Sequence, residues 1–416
     1  MTETQDKLRV LFVDDEPEIL NSLRLTLRKE RKRWEMEFVE SAEAALELMR
    51  DKKFDAIVTD MKMPVMDGAE LLMRVRDAEP GMCRVVISGY ADEQLAMRAL
   101  AVAHQFLSKP VERDQVVEAI DNTRRLMNLV HTSEFKDLIG DTTCLPATPR
   151  LHLELMAALR DSECGVEEVA EIVEQDPAMS AKFLQIANSA YFSLPRTVVK
   201  VADAVAFLGF SAVSSIALST EVLRGFPTLP GLHGMSLSSF QQRSNLTARL
   251  AGKIAKDSGL DSNVASTAGV LHGVGLLLLE ARIALRYESV WQTAVEEGLS
   301  LPDAEQQILG SDHALIGGAL LGSWGLPTPV VEAVLHQYEP AVVDGTEFGI
   351  AGVLHVASYL ANQAVDELEG LEEAPRRVLD FAHLNTCGAD SQLQEWNQLA
   401  RDWAEKTLSE DGSRAA

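Results

Sequence analysis

The chain has 416 residues, 46% hydrophobic and 24% charged, which is the make-up of a folded globular protein with room for two or three domains. Its formal net charge is -25, unevenly placed: residues 1–130 hold 20 Lys and Arg against 25 Asp and Glu, and the remainder 18 against 38. A second part at -20 is repelled by phosphate backbones, which argues against direct nucleic-acid binding.

The first residues, MTETQDK, are polar and lack a signal-peptide pattern. The first 125 residues then alternate. Strand-like runs are Leu8–Val13, Met36–Val39, Ala56–Thr59, Arg84–Ile87 and Gln105–Leu107. Helical patterns separate them at Glu16–Glu30, Ala42–Asp51, Gly68–Ala78 and Asp92–Val102, and a fifth helix starts near Glu112. Five strands alternating with five helices predict an α/β doubly wound five-stranded parallel sheet. The fifth helix keeps its apolar spacing through Val116, Ile120, Leu126 and Val130, so it is expected to run on to about Phe135 as a semi-rigid rod.

Two prolines in Asp141–Pro149 break the pattern. From Arg150 onward the chain reads as an all-α domain, with helices expected at Asn263–Glu280 and Ser391–Leu408 among others. The apolar windows Ala202–Ser219 and Ala268–Leu285 carry Asp203, or His272, Glu280 and Arg282, so they read as buried helices rather than membrane spans. The acidic run Asp366–Glu373 reads as a solvated face or linker. Trp396 and Trp403 are seven apart and put one packing stripe on a terminal helix. The four cysteines form no CxxC pair and read as reduced thiols of a cytoplasmic protein.

The most informative stretch is Phe54–Gly68, FDAIVTDMKMPVMDG. A β-branched strand ends at Asp60, and a Pro/Gly-bounded loop follows. Carboxylates at the C-terminal ends of parallel strands sit where α/β sheets place their chemistry. Asp14 and Asp15 follow an earlier strand and are expected at the same edge. Clustered carboxylates repel one another unless a hard cation joins them, and Mg2+ suits such an oxygen site.

Five matches in order make residues 6–125 resemble the receiver domain of bacterial two-component response regulators: Asp14-Asp15-Glu16, Asp60, Met63-Pro64 with Asp67-Gly68, Ser88-Gly89-Tyr90 and Lys109-Pro110. The resemblance implies that Asp60 is the phosphoryl acceptor. It implies that Asp14, Asp15, Asp60 and the Lys62 backbone carbonyl hold Mg2+. Lys109 is expected to pair with the phosphoryl group, its aim set by a cis peptide to Pro110. Ser88 and Phe106 are the implied switch pair.

Ile172–Phe192, with LPRTVVKVADAVAFLGF after it and Trp324-Gly-Leu-Pro327, makes about 140–340 resemble the HDOD domain. That domain is a helical relative of the HD phosphohydrolases that has lost the ordered catalytic set. An active HD site needs a histidine, an adjacent His-Asp and a further Asp around its metal. Here those positions read Arg243, His272-Gly273 and Ser358, and no GYP motif follows. His313 and His336 are further histidines of the same half.

The expected organisation is a receiver at 1–125, a helical connector at 112–140, an HDOD domain at 141–340 and a helical extension at 341–416. The expected function is a response regulator phosphorylated at Asp60 by a sensor histidine kinase. Its HDOD output is expected to be non-enzymatic, free of cofactor, and to bind a downstream signalling protein. Neither nucleic acid nor membrane is expected as a partner; a homodimer is. The alternative is a receiver-regulated, metal-dependent phosphohydrolase with a divergent HD site.

Overall fold

The computed structural model describes residues 7–89, 98–99, 102–130, 132–140, 149–159, 164–189, 197–221, 237–369 and 374–414. The chain divides into two compact units, one built on Met1–Thr143 and the other on the helical remainder. The helix expected over Asp92–Val102 lies largely outside the described residues, as do Tyr90 and Ala190.

The first unit holds five strands: β1 (Leu8–Val13), β2 (Trp34–Val39), β3 (Ala56–Asp60), β4 (Cys83–Ser88) and β5 (Gln105–Ser108). They form one parallel sheet in the order β2-β1-β3-β4-β5. Every residue of β3 and β4 is buried, as expected of interior parallel strands covered on both faces. Order and register together position the chemistry. Val13 pairs with Thr59, so Asp14 and Asp60 leave adjacent strands side by side. Ser88 pairs with Ser108, so Lys109 follows at the same edge.

The loop after β3 is folded back tightly. The Gly68 N–H donates to the Met61 carbonyl at 3.0 Å. A Cβ on Gly68 would lie 2.1 Å from the Asp60 carbonyl oxygen, so only glycine fits this approach. Asp67 then caps the helix Gly68–Ala78, its carboxylate accepting from the Glu70 N–H at 2.7 Å.

The connector is not one rod. The helix Arg113–Leu129 stops at Val130, which is extended (φ -91°, ψ 123°) and fully buried. A separate helix, Ser133–Gly140, begins after it, with the Thr132 hydroxyl accepting from the Phe135 N–H at 3.4 Å. The apolar spacing runs through this junction, but a β-branched residue followed by a capping Thr favours a new start. At the other end of the unit, the helix expected over Glu16–Glu30 ends at Thr26 and gives way to a 3-10 turn, Arg28–Lys32.

The second unit is helical among its described residues, apart from isolated bridge residues. The helix expected over Asn263–Glu280 is two, Ser262–Leu271 and Val274–Glu297, broken at His272-Gly273. By length and composition the run Ser262–Glu297 could cross a membrane, but 72% of its most apolar window is buried inside the protein. The core joins Leu250 and Ile254 of the helix Leu237–Asp257 to Val353, Val356 and Leu360 of the helix Ile350–Glu369. The terminal helix Leu393–Arg414 closes this core with Trp396, which is 2% exposed and stacked on Phe348 at 5.8 Å between ring centroids. Trp396→Ala is expected to destabilise the helical unit by about 3–5 kcal/mol. Denaturant unfolding followed by far-ultraviolet circular dichroism measures it.

Candidate functional site

The C-terminal edge of the sheet brings three of the receiver residues together. The Lys109 ammonium lies 2.5 Å from Asp60 Oδ1 and 3.0 Å from Asp14 Oδ2. Asp14 and Asp60 are 3% and 7% exposed, so two buried carboxylates share this one cation. The Lys109–Pro110 peptide is cis. Asp60 Oδ2 accepts from the Lys62 N–H at 2.7 Å, and Asp14 Oδ1 from the Glu16 N–H at 2.9 Å.

Burial pushes the Asp60 carboxyl above its ordinary range; Lys109 and the Lys62 N–H oppose the shift, and the Asp14 charge adds to it. Burial works against the charge on Lys109, but Asp60 and Asp14 outweigh it and hold the ammonium above its usual value. At Asp60, burial therefore outweighs the cation beside it. Asp15 is half-buried, and among the described residues no three His, Cys, Asp or Glu side chains form a ready metal cluster. The residues nonetheless suit Mg2+, which takes one or two carboxylates and keeps several waters. Asp14 and Asp60 already share one cation.

Ser88 ends β4, and its hydroxyl donates to the Gly89 carbonyl at 2.7 Å. Phe106 lies in β5 and is 6% exposed. Val65, in the loop after Asp60, has φ 70° and is 96% exposed.

In the helical unit, Arg243, His272, Gly273 and Ser358 line one cavity of about 480 Å³, along with His313 and His336. The Arg243 guanidinium does not stand free in it. It donates to Asp366 at 2.6 Å and to Glu369 at 2.6 Å. The acidic run is thus no mere solvated face: its first part belongs to the helix Ile350–Glu369, and two of its carboxylates neutralise a buried arginine. Nothing in a run of exposed-looking acids signals a partner more than 120 residues earlier.

His272 donates from Nδ1 to the Gly269 carbonyl at 2.7 Å, and burial lowers its pKa to about 4, so it is neutral. A Cβ on Gly273 would lie 2.6 Å from Cζ of Phe240, which packs over it. The Ser358 hydroxyl donates to the His355 carbonyl at 3.2 Å.

A buried network joins this wall through His313 and Tyr338 and has no motif in the sequence. Glu305 is fully buried and accepts from the Tyr287 hydroxyl, from the His313 N–H at 2.9 Å and from His313 Nδ1 at 2.7 Å. His313 Nε2 faces the Tyr338 hydroxyl at 2.8 Å. Burial opposes a charge on His313, but the Glu305 carboxylate outweighs it and raises the imidazole pKa.

Comparison with known proteins finds two family matches. The response regulator receiver domain matches residues 10–121 and the HDOD domain residues 145–340. The response regulator protein PilR of Pseudomonas aeruginosa is 32% identical over 197 residues, 43% of this chain and 42% of PilR. The transcriptional regulatory protein FixJ of Rhizobium meliloti is 36% identical over 113 residues, 27% of this chain and 54% of FixJ. An uncharacterized protein of Treponema pallidum is 22% identical over 307 residues, 70% of this chain and 56% of that protein. The matches thus span from two fifths to just over half of these relatives' lengths. Among solved structures, the MmoQ response regulator of Methylococcus capsulatus is 23% identical with a TM-score of 0.47, covering 61% of this chain and 98% of that one. An HDOD domain protein of Geobacter sulfurreducens is 21% identical with a TM-score of 0.35, covering 68% and 98%.

One consequence of the Asp60 environment is measurable. Its raised pKa means that the folded chain binds this proton more tightly than the unfolded chain does. Ionising Asp60 therefore lowers stability above the ordinary carboxylate range, and the loss disappears at lower pH. Asp60→Asn is expected to raise the receiver's thermal midpoint at pH 7, with a gain that shrinks as pH falls through the raised value. Thermal scans across pH test this; a gain independent of pH contradicts it.

Proposed function

We propose, from the premise that this chain is a response regulator joining a receiver domain to an HDOD domain, that phosphorylation of Asp60 controls a non-enzymatic helical output. A receiver takes its phosphoryl group from a donor such as a histidine kinase, and here the donor is a sensor histidine kinase. The Asp60 carboxylate attacks the phosphorus of the donor phosphohistidine. A carboxylate–phosphorus bond forms, the nitrogen–phosphorus bond breaks, and the electron pair leaves with the imidazole. The observation that carries this reading is the single ammonium of Lys109 shared between Asp14 and Asp60.

The residues present divide the work. Lys109 holds the acceptor oriented and offsets charge on the transferred group; such transfers are driven by positioning and electrostatics. Mg2+, when bound by Asp14, Asp15, Asp60 and the Lys62 carbonyl, supplies further charge neutralisation. Ser88 receives a phosphoryl oxygen by giving up its bond to the Gly89 carbonyl, and Phe106 responds on the neighbouring strand. These events bias a two-state surface.

The HDOD domain is a relative of HD phosphohydrolases. Two features favour a binding role over turnover. The residue at one ligand position, Arg243, is locked to Asp366 and Glu369. At another, Phe240 occupies the space that a carboxylate side chain on residue 273 needs. The domain then binds a downstream signalling protein in the cytoplasm, with a homodimer formed through the receiver.

Acetyl phosphate with Mg2+ is expected to label the wild-type chain and not Asp60→Ala. Equal labelling of both, read by intact-mass spectrometry, would falsify the acceptor assignment. Lys109→Ala is expected to slow labelling by about 100-fold, as for loss of one charge-stabilising group at a reacting centre. Pull-downs with and without beryllofluoride test the output: an unchanged set of captured proteins counts against control by Asp60.

A further inference from the structure

The two strands that end at the acceptor site also carry, at their other ends, a buried clamp on the connector. Arg84 opens this clamp on β4 and is fully buried. Its guanidinium donates to the carbonyls of Val102 at 2.7 Å, Pro80 at 2.7 Å and Met82 at 3.1 Å, and to the carbonyl of Gly140. Three of these acceptors lie in the receiver. The fourth is the last residue of the helix Ser133–Gly140.

His104, just before β5, completes the arrangement. Its N–H donates to the Arg84 carbonyl at 2.8 Å, and its Nδ1 accepts from the Arg84 N–H at 3.0 Å. An Nδ1 that accepts leaves the proton on Nε2, which lies 3.1 Å from Arg84 Nη2, so the two donors sit side by side at the Gly140 carbonyl to which His104 is hydrogen-bonded. Burial and the Arg84 charge hold the imidazole pKa well below its ordinary value, so this tautomer stays neutral. Two donors from two strands therefore converge on one carbonyl at a helix C-terminus, where a cation is also favoured by the helix dipole.

The packing around Gly140 leaves no slack. A Cβ there would lie 1.9 Å from the Pro80 carbonyl oxygen. Asp137 of the same helix accepts from the Gly81 N–H, and Phe135 and Ile139 are fully buried. The connector has a joint at Val130 and is gripped again at Gly140, so this last helix can let go without unwinding the longer one before it.

The distances along the strands complete the case. Arg84 and Ser88 are four residues apart on β4, roughly 13 Å. His104 precedes β5, and Lys109 directly follows it. One strand pair thus has the acceptor-site residues at one end and the clamp at the other.

We propose that β4 and β5 act as a short lever, and that phosphorylation at Asp60 is read out as a change in the grip of Arg84 and His104 on the Gly140 carbonyl. The exit helix Ser133–Gly140 is then the first element to respond on the way to the HDOD domain. This rests on the acceptor reading of Asp60, and the experiment separates the two.

Hydrogen–deuterium exchange of residues 133–140 in the full chain, with and without beryllofluoride and Mg2+, is the readout. In the wild type the exchange rate is expected to change by about threefold or more, as for a local opening biased by a ligand. Arg84→Met, which removes the donors, and Gly140→Ala, which pushes the helix end off Pro80, are expected to give fast exchange here in both conditions, while acetyl phosphate still labels Asp60. Retained labelling shows that the variant receiver is folded. Labelling of the wild type with no change in exchange over 133–140 overturns the lever and leaves the acceptor reading standing. No labelling of Asp60 overturns the acceptor reading itself. Exchange in Gly140→Ala that still responds to beryllofluoride as in the wild type also overturns the lever.

Discussion

Two buried carboxylates meeting at one sheet edge are the constraint on which the receiver half depends. Parallel pairing puts the ends of β1 and β3 next to each other, so Asp14 and Asp60 cannot avoid one another. Like charges this close and this buried are unfavourable unless a cation lies between them. The β4–β5 register delivers the Lys109 ammonium to that position. Burial still outweighs that cation and keeps the Asp60 pKa raised.

The helical half solves a similar problem in the opposite sense. Its hollow holds a buried cation, Arg243, and two acids from a distant helix pair with it. Glu305 is paired in turn with the His313 imidazole and accepts a hydrogen bond from the Tyr287 hydroxyl. These buried charges are met by partners within the protein.

Much of this was legible in the sequence because the signals were local. Alternating strands and helices, a carboxylate ending an apolar run, and Lys-Pro after a strand are short-range patterns, and the sheet and the shared Lys109 follow from them. The errors came where tertiary contact overrides local pattern. The spacing of Leu126, Leu129 and Val130 continues a helix that the buried, extended Val130 ends. Asp366 and Glu369 look solvated until Arg243 is brought against them. Arg84 sits in an apolar strand and gave no sign of its role, since its partners are backbone carbonyls, which carry no sequence identity. Glu305 and His313 are separated by a helix end at Gly310, so no periodicity links them.

The contact of Phe240 on Gly273 makes the two positions interdependent. A side chain at 273 needs the ring to move first, and a smaller residue at 240 leaves a gap beside the glycine. The two positions can therefore change together more readily than either can alone.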